Sequence, residues 1–389
     1  MQDEFALFAI FVVFSGAAVL GGIALYARQS LLVAYIVLGV LLGPSVFGVV
    51  QDTAVIQGIG HVGIIFLLFL LGLNLHPQKL LHMLREAMVV TAVSSVVFAG
   101  LGALIASAFG FSLLESLLIG CMMMFSSTII GLKLLPTTVL HHRRMGEIII
   151  SVLLLQDVIA IVMLVVLEGH ASAGGQWGQI ALLLLSLPAV AGLAFCLERF
   201  LLNHLIARFD AIQEYVFLVA IGWCAGFAEL AHAVGLSYEM GAFIAGVALA
   251  TSRISTYIAE SLKPLRDFFL IMFFFSLGAS FELAALGEVA LPACVLALTM
   301  LVVKPAVFGK LLLRMGESQK LAREIGGRLG QNSEFSLLIT VLAVQVGAIS
   351  LRASYLVQTA VLITFIASSY YIMLRFPTPI AVSDRLRRD

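Results

Sequence analysis

The sequence predicts an all-α polytopic membrane protein of about thirteen transmembrane helices, built from two inverted repeats with crossed discontinuous helices. Three observations lead there: an apolar composition, basic residues confined to one set of loops, and polar interruptions that recur at a nearly constant spacing. The 389 residues are 61% hydrophobic and only 11% charged, against roughly 25% charged in a soluble domain. A mean hydropathy of +1.11 agrees, and a soluble globular fold of this length is excluded.

Apolar runs between charged residues or Gly/Pro breaks place the spans near 4–26, 31–50, 54–73, 86–109, 112–135, 146–167 and 179–201. The remainder lie near 214–231, 236–251, 265–281, 289–313, 321–346 and 354–374. The start, Met1-Gln-Asp-Glu4, lacks the basic stretch of a cleaved signal peptide, so the first run is retained as a helix. The four cysteines lie in separate apolar segments without metal-ligand spacing, which suggests small core residues and neither disulfides nor zinc.

Loop charges support this count. Arg28, Lys79, Arg85, Arg143, Arg144, Arg208, Arg253, Lys263, Lys320 and the tail Arg385 to Arg388 fall on one side, whereas Asp3, Glu4, Asp52, Glu115, Glu168 and Glu288 fall on the other. Arg352 is the one clear basic residue of the second set. The positive-inside rule then puts the N-terminus outside and the C-terminus in the cytoplasm.

Repeats follow from the spans. Gly39-Val-Leu-Leu-Gly43 resembles Gly241-Ala-Phe-Ile-Ala-Gly246, and Phe69-Leu-Leu-Gly72-Leu resembles Phe275-Ser-Leu-Gly278-Ala, at offsets of 202 and 206 residues. The offset of 206 carries Ser126-Ser127-Thr128 in the fifth span to Asn332-Ser333-Glu334 in the twelfth. Spans one to six thus pair with spans eight to thirteen, and an odd number of crossings between the copies inverts the second.

The polar residues inside the spans carry the chemistry. Gln156-Asp157 lies midway along the sixth apolar run, where a charged side chain costs roughly 2.5 to 3.5 kcal/mol on insertion scales, so Asp157 reads as a functional carboxylate. Pairing with another helix is its plainer alternative. Ser126, Ser127 and Thr128, followed by Gly131, mark either a helix unwound at its centre or hydroxyls bonded back to their own helix. Their counterpart, Gly326 to Glu334, is polar and glycine-broken too, which favours a pair of crossed, discontinuous helices. Lys304, next to Pro305 deep in the eleventh span, is read as a charge partner whose titration couples to that of Asp157; snorkelling to the interface is the alternative. No H-E-x-x-H or G-x-S-x-G sequence occurs, and no enzymatic activity is expected.

With these residues together, the chain resembles the membrane domain of the monovalent cation:proton antiporter-2 family, in particular its Kef-type potassium/proton branch. The likeness rests on Gly39 to Pro44, Ser126 to Thr128, Gln156-Asp157, Gly241 to Gly246, Phe274 to Gly278, Lys304 and Gly330-Gln-Asn-Ser-Glu334-Phe335, and covers essentially the whole chain. It implies a sodium/proton antiporter-like fold. A core domain near 86–167 and 288–375 would move like an elevator against a dimerisation scaffold near 4–73 and 179–281. Asp157 resembles the carboxylate that takes either cation or proton. Gln156 and Thr128 would join it as ligands of K+ or Na+, with Ser126 and Ser127 beside them, and a glutamine at position 156 resembles the potassium branch.

The resemblance further implies a homodimer in the bacterial inner membrane, with monovalent cations and protons as partners, no nucleic acid and no cofactor. Kef systems carry a nucleotide-binding regulatory domain after the transporter, whereas this sequence stops at Asp389. Either a truncated chain or a stand-alone antiporter is therefore expected, with a separate regulatory domain or subunit as a further partner. A gated potassium efflux pathway on the same fold is the alternative function.

Overall fold

The computed structural model describes residues 2–27, 29, 31–50, 54–74, 77–127, 144–173, 177–202, 204–205, 208, 212–234, 236, 238–252 and 255–377. Among them the regular elements are helical, in the order α1 (Gln2–Tyr26), α2 (Leu31–Leu42), α3 (Ala54–Asn74), α4 (Pro77–Ala108), α5 (Leu113–Met123), α6 (Arg144–Ala173) and α7 (Trp177–Leu197). A π-turn (Glu198–Leu202) prolongs α7 and is followed by α8 (Gln213–Ala233), α9 (Tyr238–Ala250), α10 (Ser255–Ser261) and α11 (Lys263–Ala279). A 3-10 turn then leads into α12 (Leu286–Arg314), α13 (Gln319–Arg328), α14 (Glu334–Gln345) and α15 (Leu351–Arg375).

Six of these helices contain stretches long and apolar enough to cross a bilayer, in α1, α4, α6, α8, α12 and α15. Several of the remaining predicted spans appear as shorter apolar helices of 10–17 residues. The second span is expected over 31–50, but α2 ends at Leu42, before Gly43-Pro44. Proline disfavours helical backbone in the residue before it. The fifth and twelfth spans each leave helical geometry, at Met124 to Ser127 and at Leu329 to Ser333.

The chain divides into two compact units. The first comprises Met1–Ala17, Tyr35–Leu81 and Val165–Ser280, and the second Ala18–Ala34, His82–Leu164 and Phe281–Asp389.

In the first unit, an apolar cluster gathers Phe66, Phe69, Leu73, Phe227, Ala245, Ala248 and Leu249 around the ring of Trp223, whose Nε1 donates to the Ala245 carbonyl at 3.0 Å. Two backbone contacts frame this core. A side-chain carbon on Gly39 of α2 would strike the carbonyl oxygen of Phe275 and the nitrogen of Ala279 in α11. One on Gly246 of α9 would strike the carbonyl oxygen of Phe69 and the nitrogen of Leu73 in α3. Phe275 and Ala279 lie 206 residues after Phe69 and Leu73, and Gly246 lies 207 after Gly39. Each copy therefore uses one helix to receive the glycine of the other, the reciprocal contact of a twofold. This corrects the register expected from sequence: Gly39 corresponds to Gly246, not Gly241, which instead packs on Phe227 and Ala228 of α8. Glycine spacing alone could not choose, since both glycines satisfy close helix approach.

The second unit repeats itself as well. Gly120 in α5 abuts the Ala99 carbonyl and the Ala103 nitrogen, and Gly326 in α13 abuts the Pro305 carbonyl and the Gly309 nitrogen, every partner 206 residues further on. The turns before the two broken helices match too: Gly110 and Gly316 hold φ of 81° and 92°, where a Cβ is disfavoured. Two residues later Ser112 and Ser318 cap α5 and α13. Ser112 also forms a capping box with Glu115, and Glu115 reaches across to accept the backbone N–H of Ser350, the cap of α15, at 3.0 Å.

Because backbone lies where a methyl would go, Gly120→Ala and Gly326→Ala should each destabilise the protein by about 1–3 kcal/mol. Gly100→Ala, in open space on α4, should be neutral or stabilising by up to about 1 kcal/mol. Thermal unfolding in detergent measures both, and an unchanged transition for Gly120→Ala would contradict the packing.

Candidate functional site

The two helix breaks of the second unit meet at one polar cluster. Water cannot satisfy freed carbonyls in a membrane interior, so irregular backbone there needs donors from the protein. Lys304 of α12, fully buried, supplies three: its Nζ donates to the Phe125 carbonyl at 2.6 Å, to the Gln331 carbonyl at 3.1 Å and to Asn332 Oδ1 at 3.0 Å. Those acceptors match the three protons of an ammonium. Phe125 and Gln331 stand 206 residues apart, so the lysine bridges equivalent carbonyls just past the ends of α5 and α13. Helix C-termini each carry roughly half a negative charge, and one cation between two of them balances both. The ring of Phe98 lies 5.5 Å below the ammonium, and Phe98 is itself 206 residues before Lys304.

Reciprocal contacts tie the breaks to each other. Ser126 Oγ donates to the Leu329 carbonyl at 2.9 Å, and Asn332 Nδ2 meets Met123 Sδ at 3.2 Å. Gln331 Nε2 reaches the Ser127 carbonyl at 3.4 Å, while Ser368 Oγ donates to Gln331 Oε1 at 3.0 Å. The Asn332 N–H is taken by Thr364 Oγ1 at 3.1 Å, and Ser333 caps α14 by accepting the Phe335 N–H at 3.1 Å.

Gln156 holds the first break in shape. Its Oε1 accepts the Ser126 N–H at 2.9 Å and its Nε2 donates to the Met124 carbonyl at 3.1 Å. Expected from the resemblance as an ion ligand, its amide is occupied with the backbone at the end of α5. Asp157, the next residue along α6, is also buried. Glu334 is the first residue of α14, directly after the second break. No hydrogen bond joins the Asp157 carboxylate to a described residue, and no ion pair reaches it among the described residues.

The expected pairing of Lys304 with Asp157 is thus corrected: the lysine is turned to the helix breaks, where unsatisfied carbonyls would be costly. Ser126, Asn332 and Ser333 join the cluster, Ser127 joins through its carbonyl, and Thr128 lies outside the described residues. Sequence reasoning missed Gln331, Thr364, Ser368 and Phe98 as members. Thr364 and Ser368 carried a usable signal, being hydroxyls four apart on one face of an apolar helix. Phe98 is found by subtracting the repeat offset from Lys304.

Residues 10–374 match the family model described as the sodium/hydrogen exchanger, transmembrane. The glutathione-regulated potassium-efflux system protein KefC of Escherichia coli (strain K12) is 29% identical over 343 residues, 87% of this chain and 55% of that protein. KefC of Shigella boydii serotype 18 matches to the same extent. The chain thus spans about half the length of the curated relatives it matches. The sodium proton antiporter MjNhaP1 from Methanocaldococcus jannaschii at pH 8 superposes with a TM-score of 0.70 over 96% of both chains at 14% identity. An electron-microscopy structure of the same antiporter gives 0.69 over 95% of this chain and 96% of that one at 17% identity. At such identities the likeness is one of fold.

Removing the lysine ammonium leaves three buried acceptors without donors, at about 1–3 kcal/mol each. Lys304→Met should therefore lower the thermal stability and speed amide exchange around 125–127 and 331–333, read by hydrogen-exchange mass spectrometry. Wild-type exchange rates in that variant would contradict the bridging role.

Proposed function

The chain belongs to the sodium/hydrogen exchanger family, and we propose that it exchanges a monovalent cation, potassium in preference to sodium, for protons across the membrane. The observation that carries this is the separation of charges in the second unit. Lys304 is held by the Phe125 and Gln331 carbonyls and by Asn332, so its ammonium is turned to the helix breaks and not to the buried Asp157. A buried carboxylate in that setting is stabilised by a proton or by a small cation, and the two compete.

In this reading Asp157 alternates between them. Ser127, Thr128 and carbonyls of the breaks replace the hydration shell of the ion, a task suited to hard oxygen ligands. Gln156 shapes the break that presents those oxygens. The preference for potassium is supported by the glutamine at position 156 and by the name of the potassium-efflux relatives. Alternating access of the elevator type has the core carry Asp157 against a dimerising scaffold. The charge distribution of the loops supports an inner-membrane protein with its N-terminus outside and its C-terminus in the cytoplasm.

Asp157→Asn should fold and bind lipid normally but abolish cation-driven proton movement in proteoliposomes carrying an internal pH dye. Proton-coupled flux at the wild-type rate would sink the mechanism. In the wild type the cation KM should rise as pH falls, by up to about tenfold per pH unit where protons compete fully for the carboxylate. A KM independent of pH would argue for uncoupled permeation through a gated pathway.

A further inference from the structure

Outside the cluster just described, two charged side chains among the described residues are almost wholly buried, Glu198 and Arg328, and Arg328, the last residue of α13, is the deeper at 1% exposed. Burying a guanidinium demands partners in fixed geometry. Its Nε and Nη2 donate to Glu324 Oε1, one turn back, at 3.2 and 2.9 Å. The same Nη2 donates to the carbonyl of Pro377, two residues past the end of α15, at 2.7 Å. The guanidinium also lies 5.6 Å from the centre of the Phe376 ring, which in turn meets Tyr371 edge-on.

These contacts stop the chain as it leaves α15. Phe376 closes the helix by donating its N–H to the Ile372 carbonyl at 2.9 Å and takes extended backbone, which turns Pro377 onto α13. The position of Arg328 along α13 is the other half of the observation. The very next residue, Leu329, offers the carbonyl that accepts Ser126 Oγ, and Gln331 and Asn332 follow it into the contacts of Lys304. One peptide unit thus separates the anchor of Pro377 from the crossing of the two helix breaks.

We propose that Arg328 is a positioning residue for the exchange reaction: it clasps the segment leaving α15 to the end of α13 and so fixes the crossing, making the ion site responsive to displacement of the chain at Pro377. An arginine is required because a fork can hold Glu324 and the carbonyl together, whereas a lysine is a point charge. The inference rests on the antiport reading of the site, and its failure is distinguishable from failure of that reading.

The experiment uses the full chain in proteoliposomes with an internal pH dye, potassium and sodium being titrated separately. Arg328→Gln should raise the cation KM by about 5-fold or more with a smaller change in maximal rate, since a coupling of this kind is worth about 1 kcal/mol or more. Arg328→Lys should be intermediate. Phe376→Ala should shift KM in the same direction, and the double variant should shift it no further than the larger single change, because both act through one clasp. Unchanged KM in Arg328→Gln and Phe376→Ala, or effects that multiply, would overturn the proposal. Should Arg328→Gln not fold, Phe376→Ala decides alone. If the wild type shows no cation-driven dye response, the antiport reading fails, and amide exchange at 329–333 then decides the clasp: faster exchange in Phe376→Ala supports it and unchanged exchange overturns it.

Discussion

The site depends on how Lys304 is satisfied. Two helices broken in an apolar interior expose carbonyls that neither water nor lipid can meet, and without a donor between them the breaks would close into continuous helices. One ammonium meets both ends and Asn332 besides. In the proposed exchange, a lysine paired with the Asp157 carboxylate would compete with an incoming cation, whereas one turned to the backbone would leave that competition to the proton.

The remaining polar groups keep the crossing rigid. Gln156, Ser126, Gln331, Thr364 and Ser368 close a network in which side chains from α6 and α15 hold backbone or side-chain groups of the breaks. Networks of this kind fix geometry when their members are paired. Below them, glycines let backbone lie on backbone, as at Gly120 against Ala99 and Gly326 against Pro305. A site built this way can present oxygens to an ion at set positions, which is what discrimination between cations of similar charge requires.

Much of this was legible in the sequence, and the reason differs by residue. Asp157 and Lys304 stand out because a charge in an apolar run is expensive wherever it points. The breaks at Ser126 and Asn332 were legible because glycine and hydroxyl residues interrupt both copies at one offset. What was not legible is direction. Periodicity places Lys304 and Asp157 in the same interior but cannot say that two backbone carbonyls and an asparagine oxygen outbid one carboxylate for the ammonium. The glycine register was similarly ambiguous, since Gly241 and Gly246 both suit a close approach and only the neighbouring backbone distinguishes them. Arg328, although within the predicted span 321–346, did not stand out, because it lies in an amphipathic stretch where an exposed arginine is ordinary.

The equivalence of Phe98 and Lys304 constrains how such a molecule can be assembled. Two identical chains related by a twofold axis would bring two lysines or two phenylalanines to the same place, and so two positive charges or none. A single charge facing both helix ends requires halves that have become unequal at that position, which joining the two copies in one chain allows. The covalent link between the repeats is in this sense an electrostatic device: it permits an odd number of charges at the centre of an otherwise symmetric crossing.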